Sequence, residues 1–339
     1  MEPSTLRHAD LPALESAAIE VVERAAQTLR ERFAAGVSDE QVQFKDKHQR
    51  DPVTAVDKAV EAQVRADLRA RFPAHGMLGE EGTGEAVEGR YLWVLDPIDG
   101  TANFAAKLPF YGLSLALLYD GVPVVGCLLV PFWPGTGRGA VLHASLGHGA
   151  RIGGEPVRLR SRPFRPGGPV ALPPGWRGMF SMHGALAKRQ GEARNLGSIV
   201  AEIAMVATGG FQYAVFGAPR LWDVAAGAIV VREAGGHVLT WERGKWRHLG
   251  RFRAPDPTAS KKAPTLRDWV QPVLVTGPGV VRHVAEGLSP HQPPPLPVRW
   301  AMKQRKTVRD WWRGGSTKTT TKAADTPSGH GPTPAAPGA

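Results

Sequence analysis

Cysteine is almost missing from this chain. Cys127 alone stands among 339 residues, so no internal disulfide can form. Inside the apolar run 124–130 it reads as a small core residue, which fits a reducing compartment. Long apolar runs are missing too. None reaches the 18 residues a spanning helix needs, and the N-terminus lacks a basic-then-apolar leader. A soluble, cytoplasmic protein without a transmembrane segment is expected. The eleven histidines show no zinc spacing, which turns attention from soft ligands to carboxylates. Acids are outnumbered by bases, 31 to 42, for a net charge of +11.

That charge resembles a nucleic-acid footprint until it is located. Residues 299–339 hold eight lysines and arginines against two acids, +6 of the total, which leaves the first 298 residues at +5. The excess sits in a tail. From Ser289 the chain is proline-rich and extended. Residues 299–313 are basic and carry Trp300, Trp311 and Trp312, and 315–339 have the composition of disorder. This tail is a candidate for binding nucleic acid, an acidic partner or anionic lipid.

The body has a 42% hydrophobic composition, enough for a real core. Apolar positions Leu14, Ala18, Val21, Ala25, Leu29 and Phe33 form one helical stripe, closed by Gly36. A second stripe runs through Val56, Val60, Val64 and Leu68. Residues 113–119 and 122–130 read as strands joined by Asp120-Gly121, a hairpin signal. Residues 161–178, rich in proline, glycine and arginine, mark a boundary. The expected division is an N-terminal α+β subdomain over 1–160, a C-terminal α/β subdomain over 161–289, and the linker and tail over 290–339. Residues 195–209 read as a glycine turn and a helix ended by Gly209-Gly210, a further helix is expected over 224–233, and strands over 211–216, 237–241 and 273–276.

Residues 93–104 organise the rest. The apolar run 91–95 stops at Asp96 and Pro97, and Asp99, Gly100 and Thr101 follow. If the chain turns helically after Pro97, the two aspartates share a face about 5–6 Å apart. Such a pair needs a proton or a cation between its carboxylates. With a carbonyl and a hydroxyl it makes an all-oxygen set suited to Mg²⁺. Asp99 could equally be the N-cap of a short helix. Asp57 could be a capping acid or a functional one. Glu80 and Glu81 could be a surface turn or part of the site. Asp223 could cap the helix after it or add a carboxylate. Ser198 is a plausible N-cap at a start whose amides could also hold a polar ligand.

Four segments together carry a resemblance to the inositol monophosphatase family. They are 51–57 (Asp-Pro-Val-Thr-Ala-Val-Asp), 79–82 (Gly-Glu-Glu-Gly), 93–104, and 222–227 with 233–236. The resemblance covers roughly residues 11–288. It implies an α/β fold of alternating α-β-α-β-α layers, shared with fructose-bisphosphatases, and a lithium-sensitive type of Mg²⁺-dependent phosphomonoesterase. It implies Glu80, Asp96, Asp99, Asp223 and the Ile98 carbonyl as metal ligands, with Glu81 in support. Asp57 and Thr101 would prepare the attacking water, with Glu80 also counted in the catalytic set. Gly100 and Thr101 would hold phosphate, and Gly197, Ser198 and Ile199 would line the alcohol side. The family's inositol-binding glutamate is replaced by Phe216. Nearby Arg220 would favour a further anionic group. Lys45 and Lys47 both nearly fit the family's basic position. The expected substrate is an inositol monophosphate or a related sugar or polyol phosphate. Fructose 1,6-bisphosphate, histidinol phosphate and adenosine 3′,5′-bisphosphate are the alternatives. The resemblance also suggests a homodimer.

Overall fold

A computed structural model describes residues 10–36, 42–44, 52–82, 89–133, 139–256 and 263–291, with the backbone alone at 42–44 and 52–54. Lys45, Lys47, Asp51 and the tail from residue 292, with its three tryptophans, lie outside the described residues.

Helix α1 (Leu11–Ala35) leads to β1 (Val42–Phe44), β2 (Pro52–Thr54) and α2 (Ala55–Arg71). Then come β3 (Gly76–Gly79), β4 (Tyr91–Asp99), α3 (Thr101–Ala105), β5 (Gly112–Tyr119) and β6 (Val122–Val130). Three short strands follow: β7 (Ala140–Ser145), β8 (Ala150–Ile152) and β9 (Glu155–Val157). Beyond them lie β10 (Pro169–Ala171), β11 (Phe180–Met182), α4 (Gly184–Lys188), β12 (Glu192–Arg194) and α5 (Ile199–Ala207). The C-terminal part holds β13 (Tyr213–Phe216), α6 (Leu221–Glu233), β14 (His237–Glu242) and β15 (Lys245–His248). It ends with β16 (Val273–Thr276), α7 (Val281–Gly287) and β17 (Leu288–Pro290).

One sheet runs β3-β4-β5-β6-β7-β8-β9, and a second runs β12-β10-β13-β16-β14-β15. The first is antiparallel except for the β3–β4 pair. The chain passes from the first sheet to the second between Val157 and Pro169.

Strand periodicity sorts these sheets into layers, because successive side chains point to opposite faces. In β4, Trp93 and Leu95 pack with α1 and α2, while Leu92 and Val94 pack with α5 and α6. In β13, Ala214 and Phe216 face that same central helical layer, and Tyr213 and Val215 face a third core with α4 and α7. Helices therefore cover both outer faces and fill the middle, in the expected α-β-α-β-α order. Sheets buried on both faces need apolar residues at consecutive positions, which is why β4, β5 and β6 read as unbroken runs. Each large side chain so buried contributes about 1.5–3 kcal/mol.

The local signals hold where they are strong. α1 spans its full stripe and closes on Gly36 at φ 83°. Asp120 (φ 48°) and Gly121 (φ 80°) supply the two left-handed residues a tight hairpin turn demands. Three expectations need correction. β4 does not stop at Asp96 but continues through Pro97 to Asp99. α6 begins at Leu221, so Asp223 is the third residue of its first turn and not its N-cap. β17 pairs with β11, Phe180 opposite Pro290, so this body reaches into the segment expected to be linker. Among the described residues no helix is long and apolar enough to cross a membrane.

Candidate active site

The site starts where β4 loses its register. Asp96 pairs with Ser114 and Asp99 with Gly112, so three steps on β4 oppose two on β5. Pro97 sits in this slip, where its missing N–H costs no ladder bond. The Asp96 side chain closes the irregularity, its Oδ1 accepting from the Ile98 amide at 3.1 Å. Gly100 then turns the chain at φ 84°. A Cβ there would lie 3.0 Å from the Phe110 carbonyl oxygen and 3.1 Å from that of Gly197, so the turn has room only for glycine.

Thr101 opens α3. Its Oγ1 lies 2.9 Å from the Ile98 carbonyl oxygen and 3.1 Å from Asp57 Oδ1. Asp57, 1% exposed, sits in the first turn of α2. It faces Thr101 across 44 residues of chain.

Asp99, 8% exposed, is not the cap of its own helix. Its Oδ2 accepts from the Val200 amide at 2.7 Å and from the Ser198 hydroxyl, and so it caps α5 instead. Ser198 in turn accepts from the Ala201 amide at 3.1 Å. Ser198 is thus the expected N-cap, but it is buried and its hydroxyl is spent inward. Asp223 Oδ2 accepts from the Arg220 amide at 2.7 Å, at the entry to α6.

Electrostatics ties these acids together. Asp96, 2% exposed, is pushed well above the ordinary carboxylate range, first by burial and then by the charges of Glu80, Asp99 and Asp223. Asp223 is also raised strongly, by burial and then by Asp99, with Glu80 adding and Arg220 opposing. Asp99 is raised by burial, against the lowering pull of its bonds to Ser198 and Val200. Carboxylates crowded in this way are relieved by protons or by a cation. Their donors are all oxygen, with no thiolate or imidazole, which fits a hard divalent ion. Among the described residues no three of these side chains form a ready metal cage. The bonds that Asp99 and Asp223 make to α5 and α6 hold two of the acids to the walls of the site.

The remaining expected residues fall around this cluster. Gly197 lies beside α3, where the Asn103 amide donates to the Leu196 carbonyl at 2.7 Å. Arg220 is exposed, near Asp223. Phe216 is 4% exposed and packs into the central core.

Three positioning groups escaped the sequence reading. Glu61, buried on α2, accepts from the Glu81 amide at 2.8 Å. Ser114 donates to the Trp222 carbonyl at 2.8 Å. Arg267 donates to the carbonyls of Gly79, Glu80 and Gly82. Glu61 left a faint signal, an acid beside the apolar stripe of α2. Arg267 left none, since it stands 188 residues from Gly79.

A family model for the inositol monophosphatase family matches residues 10–264. The chain belongs to the inositol monophosphatase family. Members of that family are phosphatases, and this chain is a phosphoric monoester hydrolase of that kind. It is 33% identical over 244 residues to the histidinol-phosphatase of Mycobacterium tuberculosis, across 69% of this chain and 89% of that one. It is also 33% identical over 211 residues to the Nus factor SuhB of Pseudomonas aeruginosa, across 58% and 75%. Among solved structures, an IMPase/NADP phosphatase complexed with Mg²⁺ and phosphate shares the fold. Its TM-score is 0.62 at 19% identity, over 81% of this chain and 95% of that one. In this inositol monophosphatase-family fold, the carboxylate cluster gathers residues from β4, the turn after β3 and the start of α6.

Proposed function

We propose that the protein is a Mg²⁺-dependent phosphomonoesterase acting on an inositol monophosphate or a related sugar or polyol phosphate. The observation that carries this reading is the cluster of buried Asp96 and Asp99 with half-buried Asp223 and Glu80, beside the Asp57–Thr101 pair. Glu80, Asp96, Asp99, Asp223 and the Ile98 carbonyl would hold the cations. Bound there, Mg²⁺ would neutralise the phosphate dianion, acidify the attacking water and stabilise the leaving alkoxide.

The chain's own groups do the rest. The amides of Gly100 and Thr101 bind phosphate oxygens. Thr101 Oγ1 accepts a proton from the water while passing its own to Asp57 Oδ1, so one proton is conserved along the relay. Gly197 and Ile199 line the alcohol side. Arg220 stands at the open edge near Asp223, placed to meet a second anionic group.

The test is a phosphate-release screen over inositol 1-phosphate, fructose 1,6-bisphosphate, histidinol phosphate and adenosine 3′,5′-bisphosphate. Release from at least one is expected with Mg²⁺, and its complete loss with EDTA. Turnover that survives EDTA refutes the reading. Arg220→Ala is expected to raise KM about 10-fold for the bisphosphates, the loss of roughly one charge-assisted bond. For monophosphates the change should stay under about 3-fold, and equal effects on both would remove Arg220 from substrate recognition.

A further inference from the structure

Glu80 sits on a short turn, and the turn's backbone is held from outside. Its amide donates to the Leu95 carbonyl at 3.1 Å. The next amide, of Glu81, goes to Glu61 Oε2 at 2.8 Å, and Glu61 Oε1 accepts from Arg65 at 2.9 Å. The carbonyls on the other side all point to one guanidinium. Arg267 Nη2 donates to Gly79 O at 2.5 Å and Gly82 O at 2.8 Å, and Nη1 to Glu80 O at 3.3 Å. A Cβ at 79 would come within 2.3 Å of the Glu61 carboxylate and would displace it.

The same segment reaches the opposite wall of the site. The Arg267 guanidinium lies 5.5 Å from the centre of the Trp222 ring, next to Asp223. Three residues on, Val270 makes a β-bridge with Arg220, whose amide binds Asp223 Oδ2. Trp269 anchors the strap on Phe252, ring centres 4.9 Å apart. Thr265 and Asp268 tie its start, the Thr265 amide donating to Asp268 Oδ2 at 2.8 Å. Residues 265–270 therefore bond to the turn that carries Glu80 and to the helix entry that carries Asp223.

We propose that Arg267 is a positioning residue, fixing the Glu80 turn against the Asp223 side of the carboxylate cluster that would hold divalent cations. This rests on the metal-dependent reading above. A guanidinium suits the task because it presents several donors in one plane to converging carbonyls. A lysine has three donors, but on a single nitrogen, and cannot spread them in one plane across the three carbonyls. Without Arg267 the carbonyls of the turn lose their common anchor, and Glu80 loses its fixed approach to the cluster.

The test compares wild type, Arg267→Lys and Arg267→Met as full chains. Mg²⁺ affinity is read by calorimetry. Exchange of the amides of residues 80–82 is read by NMR without metal. Arg267→Met is expected to bind Mg²⁺ about 10-fold more weakly and to exchange those amides at least about 10-fold faster. Arg267→Lys should fall between. In steady state kcat should drop while KM stays within about 2-fold, and millimolar guanidinium should restore part of kcat to Arg267→Met. Should Arg267→Met fail to fold, the lysine variant carries the same readings. Unchanged amide exchange and unchanged Mg²⁺ affinity in a folded variant overturn the proposal. If wild type itself binds no Mg²⁺, the metal-dependent reading falls, and the exchange result alone decides whether Arg267 anchors the turn.

Discussion

Asp96→Asn is expected to lower kcat/KM by at least about 1,000-fold, roughly 4 kcal/mol of transition-state stabilisation, the scale of a lost metal contribution. Asparagine keeps the shape of the side chain and can still accept from the Ile98 amide through its carbonyl oxygen. What it removes is the charge at the centre of the cluster. The loss should therefore appear in chemistry and metal binding, with the fold intact. Mg²⁺ is expected to raise the thermal midpoint of wild type and not of the variant, since a ligand stabilises only in proportion to its binding.

The same substitution has an opposite effect without metal. Asp96 is buried among Glu80, Asp99 and Asp223, and its folded-state pKa is raised above the ordinary value. A raised carboxylate pKa means the unfolded chain ionises more easily than the folded one. Stability is then highest at low pH and falls as pH climbs through the raised value. At pH 8 in EDTA the wild type carries more of this penalty than at pH 5, and Asp96→Asn should melt several degrees higher. At pH 5 the difference should shrink. A variant that melts lower than wild type in EDTA at pH 8 would contradict the picture of mutually repelling carboxylates. One that still turns over at the wild-type rate would remove Asp96 from the site.

How much of this was legible from sequence depended on how local the cause was. The stripe of α1, the Asp120-Gly121 turn and the N-cap at Ser198 are set by neighbours a few residues away, and they stand as read. The layers followed from the family resemblance and are explained by consecutive apolar positions in β4 and β5. Pro97 misled because proline usually ends a central strand. Here the register slip between Asp96 and Asp99 absorbs its missing donor. Asp99 was read against its own helix, while its true partner is an α5 amide 101 residues away. Leu288–Pro290 has linker composition and still pairs with β11. Arg267 and Glu61 act through long-range bonds that no spacing rule encodes. Phe216 was read as a specificity position from its place in a motif, and only packing shows its ring inside the core.

Asp57→Asn should produce a second large loss of a different kind. The Thr101 hydroxyl has one proton and two acceptors in reach, the Ile98 carbonyl at 2.9 Å and Asp57 Oδ1 at 3.1 Å. With Asp57 ionised, its carboxylate would be the stronger acceptor, which would turn the proton to Asp57 and leave the Thr101 lone pairs facing outward. That is the arrangement a base relay needs. With asparagine, the side-chain amide donates to Thr101 and the threonine proton turns to Ile98. Both hydrogen bonds survive, but the base is gone. The expected result is a fall in kcat of about 100- to 10,000-fold, the usual size of a general-base contribution. Mg²⁺ affinity should stay within about 3-fold and the thermal midpoint within a few degrees, unlike Asp96→Asn. Thr101→Val should lose a similar factor. Because the two residues move one proton together, the double variant should lose little more than the worse single one. Fully multiplicative losses in the double variant, or a loss of Mg²⁺ binding in Asp57→Asn, would mean that the pair serves the site separately and that Asp57 belongs with the metal ligands.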